Sequence, residues 1–506
     1  MSLPETRLVD AALRAADYVV VQEAYYPTET TAYADLLLPA ASFAERAGVV
    51  TNSERRISLM GKAVHPPGEA RPDWEIFRDF AHTLGVALDA TRVPRVAGEA
   101  HALHARRLFA FATHSAVFDE YKACTEGRDL DITGLGWTQL ETAPRQWPYP
   151  RGATEGRARL YTDHVFATPS GRARLSAAPY QAVAEPVSPT YPLHLTTGRL
   201  RDQWHTMSRT GLSAGLFAHD PEALLSIHPV DAVGLGLQDG DLVTVESRRG
   251  AVTVRARAHE EVAPGTVFLP MHFGARFSAR GAVNVLTEAA ARDPVSNQPE
   301  LKHAAVAVRK ATFAWAGRVV RRLELGLWEA ARALLPELPY GALARHACGS
   351  AEALVLRFAF PEPPDEAWAG RLAASFALRD GVLVGYQDSR GVRKHVLLRD
   401  ERLWGFCLLG DDATGAWLQD LLLTEADVGA WRHALVAPTI PADAVSAPSR
   451  LVCQCRGVAE AVIRQSIEDG ARTVAAVKAH CGAGADCGSC PPEIAALLGA
   501  QPPLPP

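Results

Sequence analysis

Five of the chain's eight cysteines fall between Leu451 and Gly499, and no other feature limits the fold as tightly. Cys453 and Cys455 form a C-x-C pair, Cys487 and Cys490 form a C-x-x-C pair, and Cys481 lies between them as a spare. About fifty residues cannot bury enough apolar surface to fold securely alone, so the segment needs a staple. Four thiolates in two close pairs can supply one, as an all-cysteine site for zinc or for an iron–sulfur cluster. The local pattern agrees. Val462, Ile463 and Ile467 make a helical stripe over 459–469 that Gly470 ends. Thr473 is placed to cap a second helix through Lys478, which Gly482 and Gly484 stop. Pro491 and Pro492 open a third, which sets Cys490 at a helix N-terminus, where N–H groups and the helix dipole favour a thiolate.

This arrangement resembles the bacterioferritin-associated-ferredoxin-like [2Fe-2S] domain, in which C-x-C, a gap of about thirty residues and C-x-x-C hold the cluster. The gap here is 31 residues. The resemblance implies Cys453, Cys455, Cys487 and Cys490 as ligands. A structural zinc knuckle and a disulfide framework compete with it; the second fits poorly, because nothing marks the chain as secreted. The Cys487-Gly-Ser-Cys490 run also resembles a papain-type cysteine, but Pro491 stands where that motif has an aromatic residue and the position is C-terminal. A [2Fe-2S] domain at a chain end is expected to act as a wire.

The length of 506 residues suggests three to four domains, and 48% apolar with 22% charged residues describes an ordinary globular chain. A net charge of −5 without a dense basic run argues against nucleic acid as a partner. No apolar run reaches membrane-span length, and no signal peptide is read at the start. Together with clustered cysteines this predicts a cytoplasmic protein with no membrane partner.

Residues 18–23 (YVVVQE) read as a buried parallel strand, Asp35–Pro39 as another apolar stretch, and a helix is expected from Asp73. The order of punctuation here is specific: Gln22-Glu23, Thr28-Glu29-Thr30, Ala34-Asp35, Pro39, Gly48, Asn52-Ser53-Glu54-Arg55-Arg56 and Pro67–Trp74. It resembles the molybdopterin oxidoreductase family, where these pieces recur in this sequence and spacing. Taken alone, Asn52–Arg56 reads as a solvated turn carrying a salt bridge. The resemblance instead turns this loop toward the pterin, and implies Gln22, Glu23, Arg46, Asn52 and Asp73 as cofactor contacts; the family often has Lys where Arg46 stands. Arg55 and Arg56 are candidates for steering an anionic substrate. Further on, a helix is expected over 101–111, loop over 137–149, and strand–turn–strand over 156–175.

Residues 190–310 carry many short alternating segments with glycine turns, the pattern of a β-barrel. A strand at 191–196 runs into Thr197-Gly198-Arg199, which suits a pyrophosphate: backbone N–H groups at a glycine turn with a cation beside them. Trp204 can pack on a heterocycle, and His205 and Thr206 can hydrogen-bond to it. Two decoys fall away. Gly234-Leu-Gly236 precedes a strand rather than a helix, and Gly211–Gly215 follows a polar segment rather than a strand. The block is similar to the molybdopterin-dinucleotide-binding domain, a double-psi barrel, which adds Asn284 and Lys302 as contacts. GRLRDQWHTMSRTG and DPVSNQPELKHAAV are closest to the assimilatory nitrate reductase branch.

Between barrel and cysteines, Phe313–Leu338 reads as helical with a solvated basic face at Arg318–Arg322, and Val382–Cys407 as strands. Cys348 and Cys407 read as core thiols, Cys124 stays unassigned, and Ala437–Ser449 reads as a linker. The expected fold is therefore α/β in a partial molybdopterin oxidoreductase region (1–185), a double-psi barrel (186–312), an α+β connecting region and linker (313–447), and a small helical [2Fe-2S] domain (448–500). The implied cofactors are Mo-bis(molybdopterin guanine dinucleotide) and a [2Fe-2S] cluster. The [4Fe-4S] domain of full-length relatives has no counterpart here, so a truncated or split enzyme with a separate N-terminal half is expected. The implied activity is reduction of nitrate to nitrite, with ferredoxin, flavodoxin or an NADH-dependent reductase subunit as donor. Formate dehydrogenase and a non-catalytic electron-transfer or cofactor-binding chain are the alternatives.

Overall fold

The computed structural model describes residues 3–91, 93–175, 177, 179–217, 219–279, 281, 283–376, 381–441, 451–453, 456–486, 488 and 490–499. Its contacts divide the chain into a smaller unit, Ala16–Gln181, and a larger one, Met1–Ala15 with Ala182–Pro506. Helix α1 (Thr6–Ala15) belongs to the larger unit, where the Glu5 amide donates to the Thr287 carbonyl at 3.3 Å.

In the smaller unit, β1 (Val20–Glu23) and β2 (Leu36–Pro39) pair in parallel, as the apolar runs predict. The expected burial is only partial. Val21 is buried, whereas Val20 and Leu36 are 50% and 41% exposed. The hairpin β3 (Gly48–Thr51) and β4 (Arg56–Met60) follows, then α2 (Asp73–Asp89), α3 (His101–Leu108), α4 (His114–Ala123), α5 (Trp137–Thr142) and β5 (Arg145–Gln146), which pairs with β4. Asp73 and Glu75 in the first turn of α2 complement the helix dipole. Gly85 lets α3 approach, because a Cβ there would meet the His101 carbonyl at 2.8 Å. Ile57, Phe118, Ile132, Leu135, Leu140 and Tyr149 form the core. The strand–turn–strand expected over 156–175 is corrected: the described residues there make turns, with Tyr161 stacked on Phe166 at 4.8 Å.

The barrel consists of β6 (Leu193–Gly198), β7 (Leu224–Ile227), β8 (Leu242–Glu246), β9 (Ala251–Ala258), β10 (Thr266–Pro270) and β11 (Ala304–Lys310). It closes in the order β10-β6-β11-β8-β9-β7, with β10/β6 and β7/β9 parallel and the other pairs antiparallel. Strict alternation sends Leu193, Leu195, Val243, Val245, Val252 and Val254 inward. Short helices α6 (Ala214–Phe217) and α7 (Pro229–Gly234) join strands outside it. Gly234-Leu-Gly236 ends α7 at a turn, as expected.

The connecting region is an antiparallel six-stranded sheet. Its strands are β12 (Trp315–Arg322), β13 (Tyr340–Cys348), β14 (Ala351–Phe360), β15 (Val382–Gln387), β16 (Arg393–Arg399) and β17 (Arg402–Leu409), in the order β13-β14-β12-β17-β16-β15. Helices α8 (Leu327–Leu334), α9 (Glu366–Ser375) and α10 (Gly415–Leu423) pack on it. The helix expected over 313–338 is half wrong, because β12 is an interior strand and only α8 and the 3-10 turn Leu335–Glu337 after it are helical. Nor is Arg318–Arg322 a solvated face. Arg318 and Arg321 are buried, the first against Asp412 (2.8 Å) and Gln419 (2.9 Å), the second against Glu324 (3.1 Å). Cys348 and Cys407 are core thiols, and burial pushes Cys407 up to about 12.

The last domain follows the sequence reading closely. Strands β18 (Leu451–Cys453) and β19 (Val458–Ala459) pair, and helices α11 (Glu460–Glu468), α12 (Val474–Cys481) and α13 (Pro491–Gly499) follow. The Thr473 hydroxyl accepts from the Ala476 amide at 3.1 Å, and Gly482 ends α12 in the left-handed region at φ 79°. Ile463, Ile467, Val477, Ile494 and Leu497 make the core, each contributing about 1.5–3 kcal/mol by leaving water. The linker's residues 442–449 and the tail 501–506 lie outside the described residues.

Candidate cofactor and cluster sites

Cys453 ends β18 and Cys490 opens α13, and both thiols are buried. They share a hydrogen bond; burial, and then the contact with Cys453, push the Cys490 thiol up to about 11. Two buried thiols facing each other suit a metal, which would take them as thiolates. Cys455 and Cys487 lie outside the described residues. Their neighbours do not: Arg456 donates to both Asp486 oxygens at 2.8 and 2.9 Å, tying the flank of one cysteine pair to the flank of the other. Sequence reasoning missed this bidentate clamp, although its members adjoin Cys455 and Cys487. Cys481 is turned into its own helix, its Sγ donating to the Val477 carbonyl at 3.3 Å.

On the barrel, β6 delivers Thr197 and Gly198 to the start of the loop 199–207. Thr197 is buried, and its Oγ1 has no hydrogen-bond partner among the described residues. An orphaned hydroxyl beside a glycine turn suits a polar ligand such as a phosphate. Arg199 and Arg209 each hold a guanidinium 5.2 Å from the Trp204 ring centroid, and His205 meets that ring edge-on at 4.5 Å. His205 and Met207 have left-handed backbone, φ 42° and 61°.

What holds this strained loop is His272, which sequence reasoning missed. It lies just beyond β10, fully buried. Its Nε2 accepts from the Leu200 amide at 2.8 Å, and its Nδ1 donates to the His205 carbonyl at 2.6 Å. Burial first, then the Arg199 and His205 charges, lower its pKa and keep it neutral, outweighing the opposing bond to the His205 carbonyl. Thr206 is half-buried in the same loop. Asn284 is buried in the short 3-10 turn Val283–Val285, and its carbonyl accepts from the Thr287 hydroxyl at 3.3 Å. Lys302 is exposed just before β11.

The smaller unit brings three of its expected residues together. Gln22 Nε2 donates to Asp73 Oδ1 at 2.6 Å, and Arg46 pairs with Asp73 Oδ2. Glu23 turns back instead, accepting from the Ala24 and Tyr25 amides at 2.9 and 3.2 Å. Asn52 Oδ1 closes the hairpin by accepting from the Glu54 and Arg56 amides, both at 3.0 Å. Arg55 donates to the carbonyls of Trp147, Arg157 and Ala158, the last two at 3.0 Å. Arg56 keeps an open guanidinium 3.6 Å from Glu54. Arg46 also lines an apolar cavity of about 730 Å³ with Phe43, Trp74, His114, Phe118 and Trp147.

These sites can be set beside known proteins. Residues 1–83 match the molybdopterin oxidoreductase family, residues 193–305 the molydopterin dinucleotide binding domain, and residues 451–500 the BFD-like [2Fe-2S] binding domain. The chain thus carries the domains of the molybdopterin oxidoreductase family, with a closed six-stranded barrel in the dinucleotide-binding region and a small C-terminal [2Fe-2S] domain. It is 41% identical to a nitrate reductase of Synechocystis sp. over 311 residues, which cover 60% of this chain and 41% of that protein. It is 30% identical to a nitrate reductase of Klebsiella oxytoca over 510 residues, 99% of this chain and 54% of that protein. It is 35% identical to an F420-dependent formate dehydrogenase subunit alpha of Methanocaldococcus jannaschii over 310 residues, 61% and 42%. The chain spans about half the length of the curated relatives it matches. No helix among the described residues is long and apolar enough to cross a membrane.

Proposed function

We propose that this chain is the cofactor-clasping and electron-input part of an assimilatory, molybdenum-dependent nitrate reductase. The observation that carries the reading is a pairing within one unit: a barrel loop with a buried, unsatisfied Thr197 hydroxyl, and a cysteine domain in which Cys453 and Cys490 meet. When bound, the molybdenum dinucleotide supplies oxygen-atom transfer to and from its metal, and the [2Fe-2S] cluster supplies single electrons. The chain's residues bind and orient these groups. Thr197 and Gly198 meet a phosphate, Arg199 neutralises it, and Trp204, His205 and Thr206 take the nucleobase. Asn284 and Lys302 complete that contact. In the smaller unit Gln22, Arg46 and Asp73 are the residues for a pterin, whereas Glu23 and Asn52 are spent on their own backbone amides. Cys453, Cys455, Cys487 and Cys490 hold the cluster. Arg56 is the better placed of the two arginines to steer nitrate, because Arg55 is committed to backbone carbonyls. The donor is a ferredoxin, a flavodoxin or an NADH-dependent reductase subunit, in the cytoplasm.

The test begins with the chain purified anaerobically. Roughly two irons per chain and a reduced [2Fe-2S] signal are expected; zinc without that signal would remove the wire. Formate oxidation is the second reading, favoured by the formate dehydrogenase relative at 35% identity. Assays of the complete enzyme with nitrate and with formate separate the two.

A further inference from the structure

One described contact joins the cysteine domain to the cofactor loop of the barrel. Arg201 Nη1 donates to Glu493 Oε1 at 2.6 Å. Arg201 lies in the loop between Arg199 and Trp204. Glu493 lies in the first turn of α13, three residues beyond Cys490, or about 4.5 Å along the helix axis. The ion pair therefore ends one helical turn from a cysteine already assigned to the cluster.

The arginine is itself held in place. Its Nε lies 3.4 Å from Asp202 Oδ1. His219 Nδ1 donates to Asp202 Oδ2 at 3.0 Å, and Arg201 Nη2 lies against the His219 ring, 3.0 Å from Nδ1 and 3.3 Å from Nε2. The charges are only partly open to water: the Arg201, Asp202 and Glu493 side chains are 30%, 12% and 25% exposed. Burial alone would raise the Asp202 pKa, but His219 and Arg201 together bring it below the usual carboxylate range, so the network keeps its charge. Carboxylates bracket Arg201 on both sides, one from its own loop and one from the cysteine domain.

We infer that Arg201 and Glu493 are positioning residues, a salt-sensitive clasp that docks the cluster domain on the barrel loop. The cluster domain is tethered through the chain, so its local concentration at the loop is in the millimolar range, and even a modest attraction shifts the docked population. A partly exposed pair in a small network biases that population about fivefold. Such a clasp fixes the cluster's distance from the dinucleotide loop, and screening or charge reversal releases it. The role in electron delivery rests on the proposed function above; the docking itself does not.

The test is hydrogen exchange of the full chain, read on peptides spanning 199–219 and 490–499, with the electron paramagnetic resonance signal recorded on each sample. In low salt, E493K is expected to raise exchange of the 199–219 peptide about fivefold while leaving the cluster signal unchanged. E493Q is expected to shift it the same way by less. In 1 M salt, where the screening length falls to about 3 Å, the wild type should behave like E493K. The double variant R201E/E493R should restore wild-type protection, because the guanidinium now on α13 would face two loop carboxylates, the introduced one and Asp202. Exchange that is identical in wild type, E493K and E493Q overturns the clasp, as does a double variant no better than E493K. A zinc-loaded domain that still shows the charge-swap rescue would sink the wiring and leave the clasp standing.

Discussion

The barrel loop and the β3–β4 hairpin region were both singled out as cofactor surfaces, and they are built on opposite plans. In the loop 199–207 a buried histidine from another strand end grips the main chain, at the Leu200 amide and the His205 carbonyl. Thr197 at the end of β6, and the loop's Arg199 and Trp204, are left to meet a ligand. In the smaller unit the polar side chains do the gripping themselves. Gln22 and Arg46 each bind Asp73, Asn52 closes its own turn, and Arg55 ties down three carbonyls. Where an outside group anchors the backbone, substitution of a loop side chain should change binding first. Where the side chains are the anchors, substitution should change structure first.

The cluster domain is the extreme of the second plan, because the side chains proposed to hold the ligand are also the core. Cys490→Ser is expected to abolish the iron signal and unfold residues 451–499, since a domain this small lacks the apolar burial to stand without its staple. Cys481→Ser, on a helix and turned away, should keep full iron content. Iron analysis with circular dichroism checks both, and iron retained in C490S would remove that cysteine from the ligand set.

Next in size is the grip itself. His272→Ala leaves the Leu200 amide and the His205 carbonyl unmatched and opens a void, and should cost about 3 kcal/mol in denaturant unfolding. It should also abolish binding of guanosine diphosphate, used as a probe of the dinucleotide site. A stable H272A that still binds the probe would break the contrast between the two regions.

Acid should act through the same histidine and through His346, buried on β13 and depressed to about 4 by burial and by the Arg357 and Arg318 charges. Both are neutral bases in the fold. The unfolded chain binds their protons first, so their contribution to stability is complete above the unfolded value of 6.5. It is lost as pH falls from there toward the folded values. For His346 the full window is worth about 3 kcal/mol. Unfolding free energies at pH 7.5 and 5 should differ less in His346→Leu than in the wild type.

Thr197→Val separates binding from structure. The hydroxyl is buried with no partner among the described residues, so removing it should leave stability unchanged or raise it by about 1 kcal/mol, while probe affinity falls about tenfold. Calorimetry on the same sample reads both.

These particulars show which features a sequence displays. The last domain was legible because its signals are local: Thr473 and its Ala476 partner are three residues apart, and Gly482 marks its own helix end. The barrel was legible through alternation and glycine turns. β12 was not, because GRVVRR places arginines at positions that look like one face of a helix. Asp412 and Gln419, the partners of Arg318, and Glu425, the partner of Arg322, lie about a hundred residues away and convert a solvated pattern into a buried one. His272 was hidden for the same reason: its partners are 72 and 67 residues distant, and M-H-F-G alone says nothing of them. For Gln22, Arg46 and Asp73 the resemblance groups the residues but does not show that the first two bind the third.

The smallest expected effect tests that last point. Asp73→Asn removes the charge that Arg46 faces but keeps an oxygen for Gln22. The Arg46 and Asp73 side chains are 34% and 40% exposed, so water already screens the pair, and its loss should cost under about 1 kcal/mol. By the logic of the second plan, even that small cost should appear as structure, in faster hydrogen exchange at the start of α2, before any change in binding. If D73N instead left exchange untouched and altered only cofactor retention in the complete enzyme, Asp73 would be a ligand-facing residue like Thr197. The two regions would then differ in degree of engagement rather than in plan.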